Sequence, residues 1–234
     1  MSNDFNWYSD VESILMFGVK TATPKVTIVI PTYKRPLLLK RAVKSALMQN
    51  YDNYQVIVVD NDSEISNTES LDVLKDLNAT NLLFYKNTKN IGMFGNANRS
   101  IELAQSEWIC MLHDDDVLHP DYLKFVVPYT EEGKIYIQPK LVYFNSDISP
   151  TFKTILNNEK KAISKSSIDI FFEGSNSPSG ITFSKSIAME IGGFQEDLYP
   201  SSDLDFAMKF SHKKKLTRIS CPLVYYGVGV NESL

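Results

Sequence analysis

The sequence predicts an α/β fold: a doubly wound, mostly parallel central sheet covered by helices, with a smaller subregion on the C-terminal side. Two observations predict it. Apolar runs at 26–30, 55–59, 82–85 and 108–112 alternate with stretches of helical periodicity, and that alternation builds parallel sheets. Polar clusters at 31–35, 60–63 and 113–116 fall where three of those runs end. Ligands of open α/β sheets bind beyond the carboxyl ends of the strands, so three polar clusters on one edge point to a site.

The elements follow in chain order. Residues 1–24 read as a lead-in in which Ser9-Asp10 caps a short helix through Ile14, Leu15, Phe17 and Val19, packed on the domain. Val26–Ile30 is a β-branched strand stopped by Pro31. Pro36 opens a helix where its missing N–H is harmless; Leu38, Leu39, Ala42, Val43, Ala46 and Leu47 give it an apolar face, with Lys40, Arg41 and Lys44 on the other side. Gln55–Val59 is a second buried strand, a helix is expected near 68–77, and Leu82–Tyr85 is a third strand. A two-glycine loop, 90–96, leads to a helix near 97–104. Later strands are expected at 135–137, 141–144, 181–183 and 223–226, and helices from Pro120, at 167–172, at 184–191 closed by Gly192-Gly193, and at 202–212. Residues 25–234 read as one domain, in two halves that divide at residue 120.

Bulk properties narrow the class. With 43% hydrophobic and 22% charged residues the chain is an ordinary globular protein. A net charge of −4 argues against a broad nucleic-acid footprint. Cys110 and Cys221 sit in apolar runs and read as buried thiols of a reducing compartment. No run approaches a membrane span and the N-terminus has no basic leader. The expected location is cytoplasmic, with contact at a membrane surface left open.

The chemistry concentrates at 108–116, where Trp108–Leu112 runs through His113 into Asp114, Asp115 and Asp116. Adjacent carboxylates repel unless water or a cation neutralises them. Oxygen ligands suit Mg²⁺ or Mn²⁺, which leave positions for substrate phosphates. The stretch reads as a metal clamp for a diphosphate; the bland reading is a solvated acidic turn.

The ordered motifs resemble the inverting glycosyltransferases of the large GT-A family, family 2, that builds bacterial surface polysaccharides. The likeness is carried by Val29-Ile30-Pro31-Thr32-Tyr33-Lys34-Arg35, Ser45-Ala46-Leu47-Met48-Gln49, Val58-Val59-Asp60-Asn61-Asp62-Ser63, Asn90-Ile91-Gly92 with Asn98, the acidic cluster, Gly192-Gly193-Phe194-Gln195-Glu196 and Ser202-Asp203-Leu204-Asp205. It covers roughly residues 25–226 and implies a GT-A fold, with 25–120 as the nucleotide-sugar-binding half and 121–234 as the acceptor-binding half.

The resemblance also implies roles. Pro31, Thr32, Tyr33 and Arg35 would hold the base, ribose and diphosphate of a nucleotide sugar. Asp60 or Asn61 would read uracil, whose N3–H a carboxylate or amide accepts. Asp114 would reach ribose or phosphate, Asp115 and Asp116 would hold Mn²⁺ or Mg²⁺, and Asn98 would brace the active-site loop beside the nucleotide. Asp203 would be the catalytic base, with Asp205 as the alternative. The expected partners are a nucleotide-sugar donor, with UDP as the expected nucleotide, and a saccharide or lipid-linked saccharide acceptor; peripheral membrane contact and a homodimer are compatible with it. Two residues depart from the family pattern: His113 stands where the first acid is usual, and Ser202 where a Glu precedes the base. These departures motivate a rival reading as a catalytically impaired, sugar-nucleotide-binding partner subunit. An aspartyl-phosphate phosphatase is a further rival, although Leu118 occupies the place that chemistry gives to Thr or Val.

Overall fold

The computed structural model describes residues 4–20, 23–155, 161–173 and 177–229. The parallel centre comes first. β2 (Val26–Thr32), β3 (Tyr54–Asp60), β4 (Leu82–Asn87) and β5 (Trp108–Met111) pair in the order β4-β3-β2-β5, all parallel. Nearly every position of β2, β3 and β4 is buried, on both faces, which is why these strands read as continuous apolar runs rather than alternating ones. Helices α1 (Pro36–Leu47), α2 (Glu69–Lys75) and α3 (Gly92–Leu103) connect them.

The second half extends the same sheet. β6 (Val117–Leu118), β7 (Tyr136–Asn145), β9 (Ile181–Ser184) and β10 (Leu216–Val228) continue the order as β5-β9-β7-β10-β6, and β8 (Ala162–Lys165) pairs with β10. β9 runs antiparallel to β5 and β7, whereas β7 and β10 are parallel to each other. Helices α4 (Tyr122–Glu131), α5 (Ser167–Glu173), α6 (Lys185–Glu190) and α7 (Ser202–Lys213) complete the layers. One core packs α1, α2 and α4 on one face; the other packs α3, α6 and α7 around Phe183, Phe194, Phe206 and Phe210. Phe194 and Phe206 stack at 4.1 Å, so the chain entering α7 is anchored to the sheet.

Register carries β7 and β10 beyond the end of β5. Ile137 sits level with Thr182, itself level with Cys110. Residues 140–145 therefore project past Met111, paired with 222–228 of β10, and wall the sheet edge where the polar clusters end.

Several expectations are corrected. The lead-in is not a helix: a 3-10 turn (Asp4–Tyr8) precedes β1 (Ser13–Phe17), which pairs antiparallel with β4. Without it β4 would present an open sheet edge, and satisfying that ladder outweighs weak helical periodicity. Arg99 secures the segment, donating to the carbonyls of Val11 (2.6 Å) and Tyr8 (2.7 Å). The two-glycine loop belongs to α3, which starts at Gly92 because the Asn90 side chain accepts the Gly92 N–H at 3.0 Å. The two strands expected at 135–144 are one, β7, with Pro139 inside it where the β10 register shifts. Strands β6 and β8 were too short or too polar to predict. Among the described residues no helix is long and apolar enough to cross a membrane.

Candidate active site

The loop after β5 is held from three directions. His113 N–H donates to Ser179 Oγ (3.1 Å), and Gly227 N–H donates to Asp116 Oδ1 (2.8 Å). Arg41 donates to the Asp115 carbonyl (2.9 Å) and to the Ser146 carbonyl (2.5 Å) at the end of β7. Sequence periodicity put Arg41 on the solvent side of its helix; its guanidinium instead lies over the Phe144 ring, 5.0 Å from the centroid, and burial lowers its pKa. No local sequence pattern marks this role, because its partners are backbone carbonyls far along the chain. Gly227 is obligatory: a Cβ there would meet the Asp115 carbonyl oxygen at 2.6 Å.

So held, His113, Asp115 and Asp116 each offer a ligand atom, all within 4.8 Å of one another. Asp116 is fully buried; burial first, then the charge of Asp115, pushes its carboxyl up to about 7. Ser179 and the Gly227 N–H act against that rise, while Asp116 Oδ2 is buried and has no hydrogen-bond partner among the described residues. Burial lowers the His113 pKa, which leaves the imidazole neutral with a lone pair. A buried, orphaned carboxylate oxygen beside a second carboxylate and a neutral imidazole is a donor set that fits a divalent cation. Sequence reasoning placed Asp115 and Asp116 here and left His113 open between ligand and structural roles.

Asp114 turns the other way. Thr32 Oγ1 donates to its Oδ2 at 2.7 Å, and Arg35 lies 3.4 Å from both Asp114 Oδ1 and Asp115 Oδ2. Burial pushes the Asp114 carboxyl up to about 6 against these partners. Pro31 is half-buried at the end of β2, and Tyr33 projects outward, 43% exposed, with Lys34 Nζ 5.4 Å from its ring centroid. Lys34 adopts a left-handed φ of 54°, which turns the chain sharply after Tyr33.

At the end of β3, Asp60 and Asn61 are buried, at 2% and 4% exposure. Asp60 Oδ1 accepts the Asp62 N–H at 3.0 Å, with Ser70 also near, and burial raises its pKa. Asn61 has its amide fully engaged: Nδ2 donates to Asn90 Oδ1 and the Gly92 carbonyl, and Oδ1 accepts from Asn87 and the Ile91 N–H. Asn61 thus shapes the 90–92 turn and has no amide valence left to read a base. Asn98 is 1% exposed, donates to the Phe194 carbonyl and accepts the Phe194 N–H, both at 2.8 Å, and so braces the 192–195 turn. Gly193, at φ +69°, passes so close to Asn98 Oδ1 that a side chain has no room. Sequence reading missed Lys86, 1% exposed, which donates to the Asn67 carbonyl at 2.6 Å and lies 3.9 Å from Asp62.

Asp203 opens α7, in whose first turn the macrodipole favours a carboxylate. Burial pushes its carboxyl up to about 6, and it has no hydrogen bond or ion pair among the described residues. Asp205 instead pairs with Lys209 at 2.7 Å, one turn on. Ser202 is fully buried and its Oγ accepts the Gln195 N–H at 2.8 Å, so the departure from the family's Glu serves the bend before α7. Tyr226, half-buried on β10, connects the two halves of the site. Burial and then the charges of Asp116, Asp115 and Asp203 hold its hydroxyl above the usual tyrosine range. The three carboxylates therefore share one electrostatic neighbourhood.

The comparisons with known proteins agree with this architecture. Glycosyl transferase family 2 matches residues 27–192, more than half of the chain. A putative colanic acid biosynthesis glycosyl transferase, WcaA, of Escherichia coli is 31% identical over 131 residues, covering 50% of this chain and 47% of that protein. The Campylobacter jejuni GalNAc(5)-diNAcBac-PP-undecaprenol beta-1,3-glucosyltransferase is 30% identical over 116 residues, covering 49% and 37%. The chain thus spans less than half the length of these two relatives. Staphylococcus aureus TarS 1-349 in complex with UDP-GlcNAc superposes with a TM-score of 0.72 at 19% identity, covering 89% of this chain and 60% of that one. The Pyrobaculum calidifontis mannosyltransferase PcManGT, in complex with GDP-Man and Mn²⁺, gives 0.64 at 17%, covering 91% and 59%. At such identities these structures speak for the fold, which is GT-A. The chain belongs to glycosyl transferase family 2, a family of inverting glycosyltransferases.

Proposed function

We propose that this chain transfers a sugar, with inversion, from a nucleotide donor, most plainly a UDP-sugar, to a hydroxyl of a saccharide or lipid-linked saccharide in surface-polysaccharide synthesis. One observation carries the proposal: in a chain of glycosyl transferase family 2, His113, Asp115 and Asp116 offer three ligand atoms within 4.8 Å of one another beyond the end of the parallel strand β5. His113, Asp115 and Asp116 would hold a divalent cation, and the nitrogen donor favours Mn²⁺ over Mg²⁺. When bound, that ion supplies charge stabilisation to the leaving diphosphate.

The chain's own residues supply the rest. Asp203 takes the proton of the acceptor hydroxyl as its oxygen bonds to the anomeric carbon and the carbon–diphosphate bond breaks on the opposite face. A single displacement of this kind needs no enzyme nucleophile. Tyr33 offers an exposed ring on which the base stacks. Asp60 is the acceptor for the uracil N3–H in this reading, and Arg35 has the charge to meet the diphosphate. Asp114, tied to Thr32 and Arg35, fixes the strand-end loop from which the ribose is held. That tethering also argues against an aspartyl-phosphate mechanism, since the leading acid of the cluster has no freedom to attack phosphorus. The departures at His113 and Ser202 have positive roles, as candidate ligand and bend former, and give the binder-only reading no support.

The test is a panel of nucleotide sugars followed by thermal shift with and without Mn²⁺, then by release of the nucleotide. A UDP-sugar is expected to raise the melting temperature in a Mn²⁺-dependent way and to turn over. Stabilisation by no nucleotide sugar would refute the proposal.

A further inference from the structure

The N-terminal segment precedes residues 27–192, the part that glycosyl transferase family 2 matches. Its 3-10 turn, Asp4–Tyr8, nevertheless lies against α3, close to the turn that leads to Asp203. Gly95, Asn98 and Arg99 share one face of α3, by helical spacing. The Tyr8 ring packs where Gly95 has no side chain: a Cβ there would meet the ring at 2.6 Å. Arg99, 8% exposed, donates to the carbonyls of Tyr8 (2.7 Å) and Val11 (2.6 Å) and to Ser13 Oγ (2.7 Å), and pairs with Glu102 at 2.8 Å. A planar guanidinium with its donors so engaged is a fixed anchor for the segment.

Phe5 is the part of the segment that enters the core. It is 5% exposed and belongs to the cluster of Phe94, Phe194 and Phe206. Its ring tip lies against Gly193, where a Cβ would meet Phe5 Cζ at 2.8 Å. Asn98 Oδ1 closes on the same glycine, so the backbone there is held between a helix side chain and the N-terminal aromatic. The constraint continues towards Asp203. Phe194 exchanges both backbone hydrogen bonds with Asn98 and stacks on Phe206 of α7 at 4.1 Å. Gln195 N–H donates to Ser202 Oγ at 2.8 Å, and Ser202 is the residue before Asp203. A carboxylate without a hydrogen bond or ion pair of its own takes its position from the backbone that carries it.

We propose that Phe5 is a positioning residue for transfer: by filling the space beside Gly193 it fixes the 192–195 turn, and through that turn it sets where the Asp203 carboxylate meets the acceptor hydroxyl. The proposal rests on the transferase reading with Asp203 as base, and deepens it by giving the N-terminal segment a part in the reaction. Phe5→Ala leaves a cavity that the surroundings fill only in part, so the turn loses a wall. Displacing a reacting group by about 1 Å costs up to about a hundredfold in rate.

Phe5→Ala and Phe5→Leu are compared with Leu74→Ala, a fully buried position of α2 in the opposite core. All three should lower the melting temperature, so stability alone does not separate them. The readout is kcat for UDP release, with Mn²⁺, from the UDP-sugar that the panel selects, well below the lowest melting temperature; donor affinity is read by calorimetry. Phe5→Ala should lower kcat about tenfold or more, and Phe5→Leu, which restores much of the volume, about threefold, with donor affinity within about twofold. Leu74→Ala should stay within about twofold of the wild-type kcat, because its cavity is remote from the turn. In an Asp203→Asn background Phe5→Ala should cost nothing further, since both changes act on one group. A wild-type kcat in Phe5→Ala, a loss no larger than that of Leu74→Ala, or a full additional loss in the Asp203→Asn background overturns the proposal. If Phe5→Ala does not fold, Phe5→Leu decides, and an unmoved kcat overturns it. A wild-type chain that releases no UDP refutes the transferase reading itself, whereas wild-type release with kcat unmoved in the Phe5 variants overturns the positioning role alone.

Discussion

Asp203→Asn separates catalysis from fold at one atom. In the native chain the carboxyl is pushed up to about 6 by burial alone, from an ordinary value of 3.8. A raised pKa means that charging the group costs stability once pH exceeds the folded value, a cost that fades as pH falls through 6 and is gone below 3.8. A shift of that size is worth at most about 3 kcal/mol, and partial contact with water reduces it to about 1 kcal/mol. Asparagine keeps the shape and removes the charge. Asp203→Asn should therefore gain about 1 kcal/mol in urea unfolding at pH 8 and gain little at pH 4. Transfer should fall by about two to four orders of magnitude, the usual range for a lost general base, while donor affinity stays within about twofold. In the wild-type chain the same pKa predicts that kcat/KM declines about tenfold per pH unit below 6 and is flat above it. Transfer by Asp203→Asn at the wild-type rate, or an acid limb set near 4, would refute the reasoning.

Other perturbations address the support of the site. Asp115→Ala and His113→Ala should each weaken Mn²⁺ binding to the nucleotide-free chain by at least about tenfold, read by calorimetry; unchanged affinity would remove them as ligands. Gly227→Ala forces a methyl against the Asp115 carbonyl and should lower both Mn²⁺ affinity and the melting temperature. Asn98→Ala leaves the Phe194 N–H and carbonyl unpaired in the core and should cost about 2–4 kcal/mol in chemical denaturation; a loss under about 0.5 kcal/mol would contradict its role as a brace.

The parallel half of the fold was legible because its strands are buried on both faces and its helices carry one apolar stripe. The first segment was misread because pairing decides it: Ser13–Phe17 becomes a strand only where β4 has an open edge. β6 and β8 are similarly products of the long β10 strand that they border. At the site, motif order pointed to Asp115, Asp116 and Asp203, and the structure brings the first two together with His113. The division of labour was not. Asn61 and Asn98 have the right type for ligand contacts, yet their amides engage protein groups, the side chains of Asn87 and Asn90 and backbone up to 96 residues away. Arg41 and Gly227 act through the Asp115 carbonyl, a relation that no spacing encodes.

The central claim is that a cation-binding loop and an unpaired carboxylate face each other across one reaction space. The anomeric configuration of the product tests it most directly, followed by proton NMR during transfer from the preferred donor with Mn²⁺ present. The account predicts a product of configuration opposite to the donor's, with no lag and no covalent sugar–enzyme adduct by mass spectrometry. A product of retained configuration would contradict it.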